Sequence, residues 1–245
     1  MESYVIHPIP LFEMQGEQSL ITFQRGFGRQ GTGVNYVWYI EGAPERIVID
    51  AGGDIDFVAR AKGTIPVTEI QSLESGLSKF GIEPSDVDLV IVTHLHFDHI
   101  QLASKFIKAK FLVQENELKF ANKTHPMMPL LGYIKQYYEN LKLDLLDGDA
   151  EIYDGIDVLY TPGHSPGGQS VSVKTVQGSA VIAGLCAVQR NFEPPTHAAQ
   201  FMPIIPVGIY TDILETYDSM VRIKDVADII IPLHDESFKY MNSIP

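Results

Sequence analysis

At 245 residues the chain can bury an extensive core, in one large layered domain or two small ones. Apolar residues at 45% and charged residues at 20% are ordinary globular usage and exclude long disorder. With 18 Lys plus Arg against 31 Asp plus Glu, the formal net charge of -13 argues against nucleic acid and anionic membranes as partners.

The start, Met1-Glu2-Ser3-Tyr4, carries no basic segment followed by an apolar one, and no apolar run reaches transmembrane length. A cytoplasmic protein with no membrane contact is expected, in keeping with a single cysteine, Cys186, that cannot form an internal disulfide. Strands are expected at 34–40 and 46–49, ended by Asp50-Ala51-Gly52-Gly53-Asp54. Ile65, Ile70, Leu73 and Leu77 recur at roughly helical spacing and predict a helix over 65–79, stopped by Gly81.

Residues 86–93 are β-branched and apolar almost throughout and read as a buried strand, which delivers His94-Leu95-His96-Phe97-Asp98-His99 at its C-terminal end. A helix over 100–106, a strand at 110–113 and helical character from Glu115 to Pro126 follow, with Lys105, Lys108 and Lys110 forming a solvated face. Segment 115–145, with Met127, Met128, Tyr133, Tyr137 and Tyr138, could overhang a site, simply pack, or form the contact of a homodimer. Strands at 156–161, 169–175 and 180–183, a helix over 212–223 and a strand at 229–231 complete the chain. Meander-like strands with interspersed helices, no repeat and no long linker predict one α+β domain over 1–245, sheets inside and helices outside.

Three of the chain's eight histidines fall within six positions, directly after a strand. Imidazoles and a carboxylate so placed suit zinc, iron or manganese, whereas packing rarely clusters histidine this way. His164 follows the strand at 156–161 and the turn Pro162-Gly163, and His234 follows the strand at 229–231, so three strand ends present histidine. Each of these two alone would also suit a satisfied core or surface position.

These motifs resemble the metallo-beta-lactamase superfamily, whose signature His-x-His-x-Asp-His stands here at 94–99 and whose next ligand sits in a turn like Pro162-Gly163-His164. The resemblance covers nearly the whole chain, and Thr161-Pro162-Gly163-His164-Ser165-Pro166-Gly167 is most similar to the acyl-homoserine lactonase branch. It implies a four-layer αββα sandwich with two divalent metal ions at one edge, zinc before iron or manganese. His94, His96 and His164 would hold one ion and Asp98, His99 and His234 the other, with Asp50 orienting a ligand from behind. His7, His125 and His197 match no ligand position.

The resemblance also calls for an aspartate after the strand at 180–183, where this chain has Ala183-Gly184-Leu185-Cys186-Ala187. A one-residue bulge would turn Cys186 inward as a thiolate ligand in place of the bridging carboxylate; the alternative is a small apolar core residue. The tyrosine that lactonases carry shortly afterwards is replaced by Ala187 and Val188. The function expected is hydrolysis of a small carboxylic ester, a lactone foremost, by a metal-activated water that Asp98 orients, with Ser165 a turn residue rather than a nucleophile. Phe97, Met127, Met128, Tyr133 and Phe192 are candidates for an apolar substrate pocket. The alternatives are a thioester or other metabolite hydrolase, an iron-dependent redox protein and a non-catalytic metal-stabilised binding protein.

Overall fold

A computed structural model describes residues 3–62, 66–123 and 125–245, with the side chains of 61, 62, 197 and 198 left out. Its strands are β1 (Val5–Glu17), β2 (Gln30–Glu41), β3 (Ile47–Ile49), β4 (Val67–Glu69), β5 (Leu89–Ile91), β6 (Lys110–Gln114), β7 (Leu143–Leu146), β8 (Ala150–Tyr153), β9 (Ile156–Tyr160), β10 (Gln169–Thr175), β11 (Gly178–Ala183) and β12 (Ile229–Pro232). Helices are α1 (Gln18–Ile21), α2 (Ile55–Lys62), α3 (Leu73–Ser78), α4 (Phe97–Ile100), α5 (Glu115–Ala121), α6 (Gln189–Phe192), α7 (Thr196–Ala199) and α8 (Ile213–Val226).

The strands form two sheets. The larger runs β4-β1-β2-β3-β5-β6-β7, antiparallel from β4 to β3 and parallel from β3 to β7; the smaller runs β12-β11-β10-β9-β8, antiparallel except for the parallel pair β11–β12. Alternation within strands sets the layers. Ile47, Ile49, Leu89 and Ile91 face Val158, Val171, Val173 and Ile182 between the sheets. Val48 and Val90 point the other way, onto Val58 of α2 and Leu73 and Leu77 of α3. On the far side Val181 and Ala183 pack under Met220 and Ile223 of α8. A one-residue slip of any central strand would exchange these faces, so the register is fixed by burial. The result is the αββα sandwich, and among the described residues no helix is long and apolar enough to cross a membrane.

Two expectations from local pattern are corrected, and one strand is added. The helix expected over 65–79 shrinks to α3, because β-branched Val67 and Thr68 pair with β1 as the edge strand β4; Ile65 lies outside the described residues. The helix expected over 100–106 is replaced by the single turn of α4 and a 3-10 turn at Ala103–Lys105. Strand β1 goes unseen in the sequence because Pro8 and Pro10 break its pattern. They are tolerated because β2 is the one strand this half of β1 pairs with, its other side meeting only the single bridge of Ile6 to Ile244, and the register shifts between Pro10 and Phe12. The basic run at 105–110 is a solvated face, with Lys105, Lys108 and Lys110 paired to Glu74, Asp88 and Asp144.

Candidate metal centre

The loops that follow β5, β9, β11 and β12 converge on one point. The first is organised by Asp50, buried just beyond β3 with a left-handed backbone (φ 61), a conformation that aspartate tolerates better than most residues. Its carboxylate accepts the Thr93 amide at 2.7 Å and the Thr93 hydroxyl at 2.9 Å. Thr93 has thereby given its proton away, so its oxygen accepts from His94 Nδ1 at 3.0 Å and leaves the His94 Nε2 lone pair free. His164 reaches the same state by another route. Its Nδ1 lies 2.7 Å from the Ile209 carbonyl, which can only accept, so its Nε2 also offers a lone pair.

The two Nε2 atoms face each other at 3.2 Å. Two lone pairs at that distance repel unless a cation lies between them, and a tetrahedral zinc site places its nitrogens about 3.3 Å apart. His94, His96 and His164 have ligand atoms within 4.8 Å of one another, as do Asp98, His99 and His234. In this second triad Asp98 Oδ2 lies 3.3 Å from His99 Nε2 and 3.8 Å from His234 Nε2. His99 Nδ1 is held by Asp50 at 2.7 Å and His234 Nδ1 by the Val34 carbonyl at 3.1 Å. The rings of His94 and His99 are 4.2 Å apart, so the triads adjoin, and these donors fit a pair of divalent ions.

Burial drives the pKa values of His94, His96, His164 and His234 down, with their imidazole neighbours adding to the shift; His164 falls to about 4. Burial also opposes a charge on His99, but the Asp98 and Asp50 carboxylates outweigh it and push His99 up to about 10. Asp98 is the mirror case: burial raises its pKa, and His99 and His234 hold it well below the usual carboxylate range. The depressed histidines contribute stability that is complete above their unfolded value near 6.5 and lost as pH falls through their lowered folded values, about 4 for His164. The His99 contribution has the opposite sense, present below about pH 6.5 and lost as pH rises through about 10. Metal-free protein is therefore expected to lose urea resistance on acidification from pH 7 to 4, by about 3 kcal/mol from His164 alone. A urea midpoint that stays level across that range in the presence of chelator contradicts it.

Above the triads opens a cavity of about 200 Å³, walled by Met14, Leu20, Ile21, Leu130, Leu131 and Ile209. Phe97 lines it, but the other four pocket candidates do not. Met127 is half exposed outside it, Met128 and Tyr133 are buried in the core against the larger sheet, and Phe192 is buried beside α8. Tyr133 instead packs edge-on against the His96 ring at 4.7 Å, behind the ligand. Segment 115–145 contributes Leu130, Leu131 and Gly132 to the wall. Cys186 lines the cavity and belongs to neither triad, while Leu185 is buried in the core. Tight turns, Leu185 N to Ala183 O at 2.7 Å and Ala187 N to Leu185 O at 2.6 Å, produce this placement.

His7 lies elsewhere, bridging Glu41 and the Asn242 carbonyl; His125 is exposed and does not line the cavity; the His197 side chain is outside the described residues. The walls from β1 and α1 are invisible in the sequence, since their apolar residues carry no chemical signature. Equally unmarked is Glu117, a buried carboxyl whose partners are backbone amides of distant loops.

The family model of the metallo-beta-lactamase superfamily matches residues 31–231. The N-acyl homoserine lactonase of Bacillus thuringiensis is 34% identical over 140 residues, which cover 56% of this chain and 54% of that protein. The N-acyl homoserine lactonase AttM of Rhizobium radiobacter is 30% identical over 167 residues, 59% of this chain and 63% of the relative. The matched stretches thus span little more than half of either relative. In three dimensions the chain is similar to an N-acyl homoserine lactone hydrolase with the product N-hexanoyl-L-homoserine bound at its catalytic metal centre. There the TM-score is 0.78 and the identity 25%, over 98% of this chain and 96% of the other.

Proposed function

The chain belongs to the metallo-beta-lactamase superfamily, and on that premise we propose that it is a metal-dependent hydrolase of small uncharged carboxylic esters, lactones with an apolar acyl substituent foremost. One observation carries this reading. The two triads form the floor of a cavity whose walls are apolar and whose lining, among the described residues, includes Glu17 and Asp98 but no Lys or Arg. Such a lining disfavours phosphodiesters and anionic thioester carriers and suits a neutral ester with a hydrocarbon tail. The lactonase similarities of the matched region agree with that substrate class.

Five imidazoles and one carboxylate are a borderline donor set that suits zinc, with iron and manganese as alternatives; Cys186 lines the same cavity outside both triads, and a thiolate reaching an ion from there would add a softer donor. Two ions held there would supply Lewis-acid polarisation of a carbonyl and make water a competent nucleophile at neutral pH. Asp98, kept ionised by His99 and His234, would orient the attacking water by accepting a hydrogen bond from it. Leu20, Leu130 and Ile209 would hold the acyl chain and exclude water from it.

The test is a zinc-, iron- or manganese-reconstituted chain assayed on acyl lactones of increasing length, simple esters, a thioester and a phosphodiester. Chelator-sensitive lactone and ester hydrolysis is expected, with kcat/KM rising up to roughly fourfold per methylene until the cavity is filled. Turnover that survives chelation, or that is confined to the thioester or phosphodiester, would falsify the reading. A fully loaded chain inactive on the whole panel would point to a metal-stabilised binding protein.

A further inference from the structure

Glu117 of α5 is fully buried, and each of its carboxyl oxygens accepts a backbone amide from a different ligand-bearing loop. Oε1 accepts from Leu95 N at 2.9 Å, between His94 and His96. Oε2 accepts from Gly167 N at 3.0 Å, three residues past His164. The approach is close enough that a Cβ on Gly167 would lie 2.1 Å from the Glu117 amide nitrogen, so this contact requires glycine. The hydroxyls of Ser165 and Tyr133 turn toward the same carboxyl, without the alignment of a full hydrogen bond to any partner. Tyr133 in turn backs the His96 ring.

Burial pushes the Glu117 pKa up and the two amides oppose it; among the described residues no Lys, Arg or His forms an ion pair with it. A carboxyl in such a place is costly unless its acceptors are used, and both are. The second triad is framed without it: His99 by Asp50, His234 by the Val34 carbonyl. We propose that Glu117 is the positioning residue of the three-histidine triad, its carboxyl tying the loop at 94–96 to the turn at 163–167 so that His94, His96 and His164 converge before a metal arrives. This rests on the reading of the triads as metal sites.

The experiment titrates metal-free full-length protein with Co(II), in competition with a chelator, following the d–d absorption bands. H164A and H234A serve as single-site references. Glu117→Gln keeps the shape but turns an NH2 group toward one of the two amides. It should fold cooperatively and lower Co(II) affinity at the three-histidine site about 10–100-fold, as outer partners of metal ligands do. Affinity at the Asp98, His99 and His234 site should stay within about threefold, well below that range. Glu117→Asp, too short to reach both amides, should weaken the same site to a smaller degree. Two wild-type affinities in E117Q, equal weakening of both sites, or failure of both variants to fold would each overturn the proposal and assign Glu117 to the fold alone. Wild-type protein that binds no Co(II) would instead remove the metal-site reading on which the proposal stands.

Discussion

A His164→Ala substitution is expected to weaken metal binding at the three-histidine site by two to three decades and to lower kcat/KM for lactone or ester hydrolysis at limiting metal by about 10²–10³-fold. The scale follows from ligand arithmetic: four-ligand zinc sites bind with about 10–16 kcal/mol, so one ligand carries roughly 2.5–4 kcal/mol, or two to three decades in affinity. His164 has no substitute at its position. It comes from the turn after β9, and its ring is pre-set by the Ile209 carbonyl at 2.7 Å so that Nε2 meets His94 Nε2 at 3.2 Å. Metal content by mass spectrometry and steady-state kinetics on the same preparation test this together; full occupancy with unchanged kinetics would remove His164 from the centre. A parallel Cys186→Ser variant, with the tight turn preserved, reports whether the thiolate adds to the ligand set: lowered occupancy says yes, unaltered occupancy and rate say no.

Asp50→Ala should be the most destabilising single change near the site, by about 3–5 kcal/mol in metal-free protein. Three donors lose their acceptor at once, the Thr93 amide, the Thr93 hydroxyl and His99 Nδ1, all buried. Alanine would also have to adopt the left-handed backbone at φ 61, which adds about 1 kcal/mol or more. Against a total stability of about 5–15 kcal/mol this is a large fraction. Urea unfolding of chelator-treated wild type and variant measures it, and a difference below about 1 kcal/mol would show that these hydrogen bonds are replaced by water. Asp50→Asn, which keeps one acceptor oxygen and the same volume, should fall between the two.

The metal-bearing loops were legible in the sequence because their chemistry is local. His94, His96, Asp98 and His99 sit in one short run after a β-branched strand, and the turn before His164 has its own punctuation in Pro162 and Gly163. The four layers followed from the resemblance those motifs carry; Ile47-Val48-Ile49 and Leu89-Val90-Ile91, apolar throughout, show by themselves only strands covered on both faces. What escaped is what depends on distant pairing. Strand β1 is held by β2 despite Pro8 and Pro10, and β4 exists only because β1 offers it an edge. Size and polarisability mark the pocket candidates in the sequence, but the core claims Met128, Tyr133 and Phe192, and smaller aliphatics from α1 and β1 line the cavity. Glu117 escaped because backbone amides leave no mark in a sequence.

The loop at 209–212 has two attachments. Thr211 and Asp212 bond the Gly163 carbonyl, and Ile209 gives its carbonyl to His164 while its side chain walls the cavity. On the proposed reading, substrate and metal would therefore lean on the same few peptide units from opposite sides. Whatever factor an acyl chain pressing on Ile209 imposes on the affinity of the ion at His164, the ion imposes that same factor on the acyl chain, since the free energy of the doubly occupied state does not depend on the order of arrival. Metal retention measured with and without a bound product analogue is thus also a measurement of how substrate affinity changes with metal loading.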